Sequence, residues 1–284
     1  MAELDDTLPP PPPRPDEGHK GTFGRVTLVG GSPGMAGSIA LSGMAALRSG
    51  AGLVTVEVPE SILPTVAAFH PAMMTQPRPN DWGRDRSGDR SGDRDADAVG
   101  LGPGLGRGDH VQQQARAMIA SARQPLVVDA DALWSLRLRS VDASAVGLAT
   151  GKRVITPHPG EFARIAGCEI AEVAADRRGW AERAAAELGC VVVLKGPGTI
   201  VTDGVRTAVN RTGNSGMATG GTGDVLTGIL AALLAQRMSP WDAARLAVHV
   251  HGRAGDLAAD HWGRRAMTAA DLIDALGPAW GELE

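Results

Sequence analysis

The stretch Asn214-Ser215-Gly216-Met217-Ala218-Thr219-Gly220-Gly221-Thr222-Gly223-Asp224, running on into Val225-Leu226-Thr227-Gly228-Ile229, decides how the chain is read. Clustered glycines just before a helix let backbone N–H groups converge on an anion, and the helix dipole adds to the attraction. An acidic residue at such a helix start would repel a phosphate if the loop only bound one. Asp224 therefore reads as a base acting on a hydroxyl next to the phosphate. The plainer alternative, an acid favoured there by the dipole, weighs less once all eleven residues stand in this order.

Outward from this loop the chain alternates strand and helix. Apolar runs at 26–30, 53–58, 98–101, 126–129, 153–156 and 190–195 read as strands, and 199–201 with 205–209 reads as a hairpin about Thr202-Asp203-Gly204. Helical spacing covers 38–49, 111–123, 172–188, 224–237, 240–260 and 268–276. Such alternation predicts an α/β fold, a mostly parallel sheet with helices on both faces. Nearly every Gly- or Pro-rich motif follows the C-terminal end of a strand, where open α/β sheets place their ligands.

Composition narrows the function. Hydrophobic residues make up 43% of 284, enough for one core, and with 3% aromatics and no Tyr that core is built from Ala, Val, Leu and Ile. A net charge of −4 without a basic stripe gives no support to a nucleic-acid or membrane-surface partner. Cys168 and Cys190 lack metal-ligand spacing, which fits a reducing compartment. With no apolar run of membrane-spanning length and no signal-peptide pattern, the expected location is the cytoplasm. Residues 1–18, with the proline run 9–13, read as a disordered arm. Residues 84–97, which repeat Asp-Arg-Ser-Gly, read as a solvated insertion in a single domain spanning 19–284.

Further motifs surround the glycine loop. Leu194-Lys195-Gly196-Pro197-Gly198-Thr199 ends a strand, and its small residues favour close ligand approach, although Lys195 alone would pass for a surface lysine. In Thr156-Pro157-His158-Pro159-Gly160-Glu161 the prolines restrain His158, which is either a ligand contact or a turn histidine. Glu161 either starts the next helix or positions metal or water. Asp129 and Asp131 end another strand, where they could help hold Mg²⁺, and Asp131 is equally suited to capping a helix. His249 and His251, two apart on a helix, make a poor metal pair. Gly50-Ala51-Gly52 reads as a close-packing turn.

The Gly-Gly-Thr-Gly-Asp-Val-Leu-Thr-Gly stretch resembles the signature of the ADP/ATP-dependent NAD(P)H-hydrate dehydratases. Lys20-Gly21-Thr22-Phe23-Gly24-Arg25-Val26 leading to Gly30-Gly31-Ser32, together with the His158 and Lys195 motifs, points the same way. The resemblance implies a ribokinase-like three-layer αβα sandwich. It implies an adenine-nucleotide site made by Lys195, Gly196, Pro197, Gly198, Thr199, Asn214, Gly220, Gly221, Thr222 and Gly223. It implies a hydrated-dinucleotide site made by Gly37, Ser38, Gly102, Gly104, Gly106, His158 and Asp224, with Asp224 catalytic and Mg²⁺ near Asp129. Relatives often carry Ala at the position of Ser38. The implied reaction is ADP-dependent dehydration of the S-epimer of hydrated NADH or NADPH, releasing AMP and phosphate. A homo-tetramer and a separate epimerase are implied as partners. The alternative is an ATP-dependent small-molecule kinase of the same fold.

Overall fold

The computed structural model describes residues 3–4, 7–83, 96–138 and 151–284. The repeat of Asp-Arg-Ser-Gly lies outside the described residues.

The strand-like runs assemble into one sheet. In chain order its strands are β1 (Glu3–Leu4), β2 (Arg25–Val29), β3 (Leu53–Val58), β4 (Met74–Pro77), β5 (Ala98–Leu101), β6 (Leu126–Val128), β7 (Arg153–Ile155), β8 (Val191–Leu194), β9 (Ile200–Thr202) and β10 (Arg206–Val209). Their spatial order among the described residues is β1-β10-β9-β8-β7-β6-β5-β2-β3-β4. From β8 to β4 all neighbours run parallel, and β9 is antiparallel to both β8 and β10. The 199–209 hairpin forms as predicted, pairing Thr202 with Thr207 and Ile200 with Val209.

Central strands are apolar on both faces because helices cover both. Helices α1 (Ala36–Arg48), α7 (Thr222–Ala235), α8 (Pro240–Trp262) and α9 (Ala269–Gly281) close one face around Val26, Leu28, Val54 and Val56. Helices α3 (Asp109–Ser121), α4 (Pro159–Ala166) and α6 (Arg177–Leu188) close the other around Val29, Leu101, Leu126 and Val128. Helix α7 is buried along its whole length from Val225 to Ala235, and its residues there are Ala, Leu, Ile, Val, Thr and Gly.

Three expectations change. The single helix read over 172–188 is two, α5 (Ile170–Ala175) and α6, because the Asp176 side chain accepts the Gly179 N–H at 2.9 Å and caps a new helix. The strand β4 and the short helix α2 (Leu63–Ala67) carry too little apolar pattern to be read. The arm is also not devoid of structure: Glu3–Leu4 pairs in parallel with β10, and Arg14 donates to the Gly50 carbonyl at 3.0 Å while stacking on Phe23. The pairing covers the outer edge of β10.

The sheet positions the site through its reversal of strand order. From β2 the chain moves outward to β3 and β4, then returns to β5 on the opposite side of β2 and continues to β8. The loops after β2 and β5 therefore part at a switch point, which opens a crevice above the carboxyl ends of the strands.

Candidate functional site

Two glycine-rich loops form the walls of the crevice. Gly31 donates its N–H to the Pro103 carbonyl at 2.8 Å, and the Ser32 hydroxyl donates to the Gly104 carbonyl at 2.9 Å. Gly102 has φ +128, and a Cβ there would run into the Asp129 carbonyl. Glycine is the residue that lets β5 pass so close to the end of β6. Gly104 and Gly106 also have positive φ, and Gly106 donates to Asp131 Oδ2 at 2.9 Å. Gly37 and Ser38 lie in the first turn of α1, opposite this loop, and a side chain at Gly37 would meet only open space.

At the ends of β6 and β8 sits a buried ion pair. Lys195 Nζ donates to Asp129 Oδ1 at 2.9 Å and lies 3.8 Å from Glu161 Oε2. The Thr227 hydroxyl of α7 donates to the other Asp129 oxygen at 2.7 Å. Asp129 is 1% exposed. Burial opposes the charge of both partners, yet each offsets that cost for the other: Lys195 holds the Asp129 carboxyl below its ordinary range, and Asp129 with Glu161 holds the ammonium above its own.

The glycine loop leads into α7 beside this pair. Gly221 is the N-cap with φ +92, and the Thr222 hydroxyl donates back to the Met217 carbonyl at 2.9 Å and the Thr219 carbonyl at 3.1 Å. A Cβ placed on Gly223 would lie 3.4 Å from Lys195 Nζ, so the lysine and the loop meet over the same space. Gly220 opens to free space. Asp224 follows in the first turn, with its backbone carbonyl accepting from the Ser42 hydroxyl at 2.7 Å. Burial, with the Asp129 charge behind it, pushes the Asp224 carboxyl up to about 7, while the Ser38 hydroxyl and Lys195 pull the other way. A carboxyl with that affinity for protons can take one from a substrate hydroxyl near neutrality.

His158 caps α4. Its Nδ1 accepts the N–H groups of Gly160 at 3.0 Å and Glu161 at 3.2 Å, and Glu161 in return accepts the His158 N–H at 2.8 Å. This reciprocal cap fixes Nδ1 as an acceptor and leaves Nε2 to carry the proton. Burial, then Lys195, keeps the imidazole below its usual pKa, while part of the ring stays exposed. Glu161 is raised, first by its own burial.

Several of the expected site residues are tied into the protein itself. Asp129, expected near Mg²⁺, accepts from Lys195 and Thr227 in this structure, and the ammonium lies 3.8 Å from Glu161. Among the described residues no group of three His, Cys, Asp or Glu side chains could hold a metal ion. Asp131 is no helix cap; it binds Gly106 and accepts from Arg107 Nε at 2.7 Å. Asn214 spends both side-chain donors on α8, on the Gly255 carbonyl and Asp256 Oδ1 at 2.9 Å each, and its oxygen accepts the Gly216 N–H. Its side chain anchors the loop and has no donor left for a ligand. His251 does more than face the helix: Nε2 donates to the Thr222 carbonyl at 2.8 Å, and burial lowers the ring to about 4, so the neutral form pins the start of α7.

Arg177 is a residue the sequence did not single out. Its guanidinium donates to the carbonyls of Leu194 and Lys195 at 3.2 Å each and to that of Pro197. It thereby shapes the whole Lys195–Thr199 loop, in which Gly196 and Gly198 have positive φ and the Thr199 hydroxyl donates to the Gly196 carbonyl at 2.9 Å. No motif marks an arginine at the start of a helix as a loop clamp.

A family model for NAD(P)H-hydrate dehydratase matches residues 26–278. The chain belongs to the NAD(P)H-hydrate dehydratase family. It is 42% identical over 272 residues to the bifunctional NAD(P)H-hydrate repair enzyme Nnr of Moorella thermoacetica, covering 93% of this chain and 51% of the relative. The chain thus spans about half the length of the curated relatives it matches. The crystal structure of the Bacillus subtilis ADP/ATP-dependent NAD(P)H-hydrate dehydratase, co-crystallized with ATP and Mg²⁺, is similar with a TM-score of 0.86 at 32% identity, covering 97% of this chain and 95% of that one. A ribokinase-like superfamily protein from Enterococcus faecalis V583 is similar with a TM-score of 0.78 at 28% identity, covering 95% and 91%. The fold is the ribokinase-like αβα sandwich that this family resemblance implies.

Proposed function

We propose that this chain dehydrates the S-epimer of hydrated NADH and NADPH, with ADP as phosphoryl donor. The observation that carries the reading is Asp224: a carboxyl raised to about 7, at the mouth of a glycine loop, with Lys195 beside that loop. The adenine nucleotide occupies the side made by Lys195, Gly196, Pro197, Gly198 and Thr199 and the amides of Gly220, Gly221, Thr222 and Gly223. The hydrated dinucleotide occupies the side made by Gly37, Ser38, Gly102, Gly104, Gly106 and His158. Mg²⁺ would be held chiefly by the nucleotide phosphates and would offset their charge, with Lys195 and Thr227 already on Asp129.

Hydroxide is a poor leaving group from C6 of the hydrated ring. Asp224 accepts the proton of that hydroxyl, its oxygen bonds to the β-phosphorus of ADP, and the bond from that phosphorus to the bridging oxygen breaks to release AMP. Converging loop amides and the Lys195 ammonium stabilise charge on the transferring group. The ring-nitrogen lone pair then breaks the bond from C6 to the phosphorylated oxygen, phosphate leaves, and loss of a C5 proton restores the dihydropyridine. We place the protein in the cytoplasm as a homo-tetramer, served for the R-epimer by an NAD(P)H-hydrate epimerase. Among the described residues no helix is long and apolar enough to cross a membrane.

Incubation with acid-hydrated NADH plus ADP, followed at the reduced-nicotinamide absorbance band, tests the reading. Recovery of NADH together with AMP and phosphate is expected, and ATP in place of ADP tests the donor. A stable phosphorylated product would instead favour a kinase.

A further inference from the structure

We propose that Arg107 is a phosphate-recognising residue of the dinucleotide subsite, held ready by Asp131 and Trp134. The proposal rests on the dinucleotide lying along the Gly102–Gly106 loop.

Arg107 directly follows that loop, and its side chain is fixed from two directions. Nε donates to Asp131 Oδ1 at 2.7 Å, and the guanidinium carbon lies 4.8 Å from the centroid of the Trp134 ring. Asp131 is itself immobilised, since its other oxygen accepts the Gly106 N–H and Gln112 Nε2 bridges the Gly106 carbonyl at 3.0 Å and the Asp131 carbonyl at 3.1 Å. Trp134 is held in turn by Arg164, which stacks at 4.5 Å and donates to the Trp134 carbonyl at 3.1 Å. An arginine side chain usually loses much rotamer freedom when it binds. Here that freedom is already restricted before any ligand arrives, by contacts that occupy only Nε and the π-face.

The two terminal amino groups of Arg107 have no partner among the described residues, and its side chain is 57% exposed. These are the atoms that grip phosphate in a two-pronged fork. Asp131 balances one charge, but Arg164 brings a second cation to the same tryptophan, so the patch stays positive. Arg107 is tied to the Gly102–Gly106 loop through Asp131, which also accepts the Gly106 N–H. A hydrated dinucleotide offers two phosphate sources there, its pyrophosphate and, in the NADP series, its 2′-phosphate.

Calorimetric titration of wild type, Arg107→Ala and Arg107→Lys with NADH, NADPH and ADP tests the assignment, with melting temperatures measured alongside. Arg107→Ala is expected to weaken dinucleotide binding about ten- to a hundredfold, the loss of a charge-assisted contact. ADP affinity and melting temperature should hold, and Arg107→Lys should recover part of the loss. Weakening for NADPH alone assigns the 2′-phosphate, and weakening for both assigns the pyrophosphate. Unchanged affinity for both dinucleotides overturns the proposal, as does equal weakening of ADP. A wild-type protein that binds dinucleotide through Arg107 yet leaves hydrated NADH unchanged would refute the dehydratase reading while this assignment stands.

Discussion

Replacing Lys195 with Ala tests whether the lysine is a surface residue or one half of a buried lock. A strand-end lysine in water would be lost at little cost to folding. Here its removal strands the Asp129 carboxylate, 1% exposed, with only hydroxyl partners such as Thr227 at 2.7 Å. Breaking a buried ion pair in this way costs roughly 3–5 kcal/mol, and the lower end applies because Lys195 keeps 20% of its side-chain surface. For a chain of 284 residues about 3 kcal/mol corresponds to a drop of roughly 5 °C in melting temperature. The pH dependence fixes the cause. In the wild type, Lys195 holds Asp129 below its unfolded pKa, so its contribution is full above about 3.9 and fades as pH falls through the lower folded value. In Lys195→Ala, burial outweighs the remaining hydroxyl hydrogen bonds and the folded pKa rises above the unfolded one. The deficit should then be largest at neutral pH and shrink in mild acid, as protonation relieves the stranded charge. Adding Asp129→Asn to the variant should restore most of the lost stability. Thermal melts of the three proteins at neutral and mildly acidic pH read this directly. An unchanged melting temperature for Lys195→Ala, or a deficit that grows on acidification, would refute the reasoning.

Two further predictions follow from the site. Because Asp224 is half in its base form at about 7, turnover under saturating substrates should rise with pH through that region, and an acidic limb centred near pH 4 would contradict the assignment. Arg177→Ala should raise the KM for ADP with little effect on that for the dinucleotide, because the Arg177 guanidinium donates to the carbonyls of Leu194, Lys195 and Pro197; equal changes in both would show a general loosening.

Much of this arrangement is visible in the sequence. The apolar runs at 126–128 and 191–194 are strands because the sheet is covered on both faces, and the glycine stretch before Asp224 is loop and helix start as its residue types require. Hidden from the sequence are the pairings made by register. Asp129 and Lys195 are 66 residues apart and meet only because β6, β7 and β8 lie side by side in parallel. Thr227 reaches the same carboxylate from a helix 98 residues away, and on sequence alone it is an unremarked threonine in an apolar helix. For Asp129 the position at a strand end is visible in the sequence, and the ammonium on its carboxylate is not. The break at Asp176 was masked by Ala- and Glu-rich sequence on both sides, which favours helix everywhere except at the cap itself.

Asp224→Asn is the most direct test of the mechanism. The change keeps size and the capacity to cap a helix but removes the charge and the basicity. If Asp224 only decorates the start of α7, rate and stability should change by a fraction of a kcal/mol. As the general base, its loss should lower turnover of hydrated NADH by roughly 10²–10⁴, while ADP affinity holds or rises because a negative charge beside the phosphates is gone. Lost chemistry with retained ADP binding and an unaltered melting temperature is the predicted result. Near-normal turnover in the folded variant would contradict it.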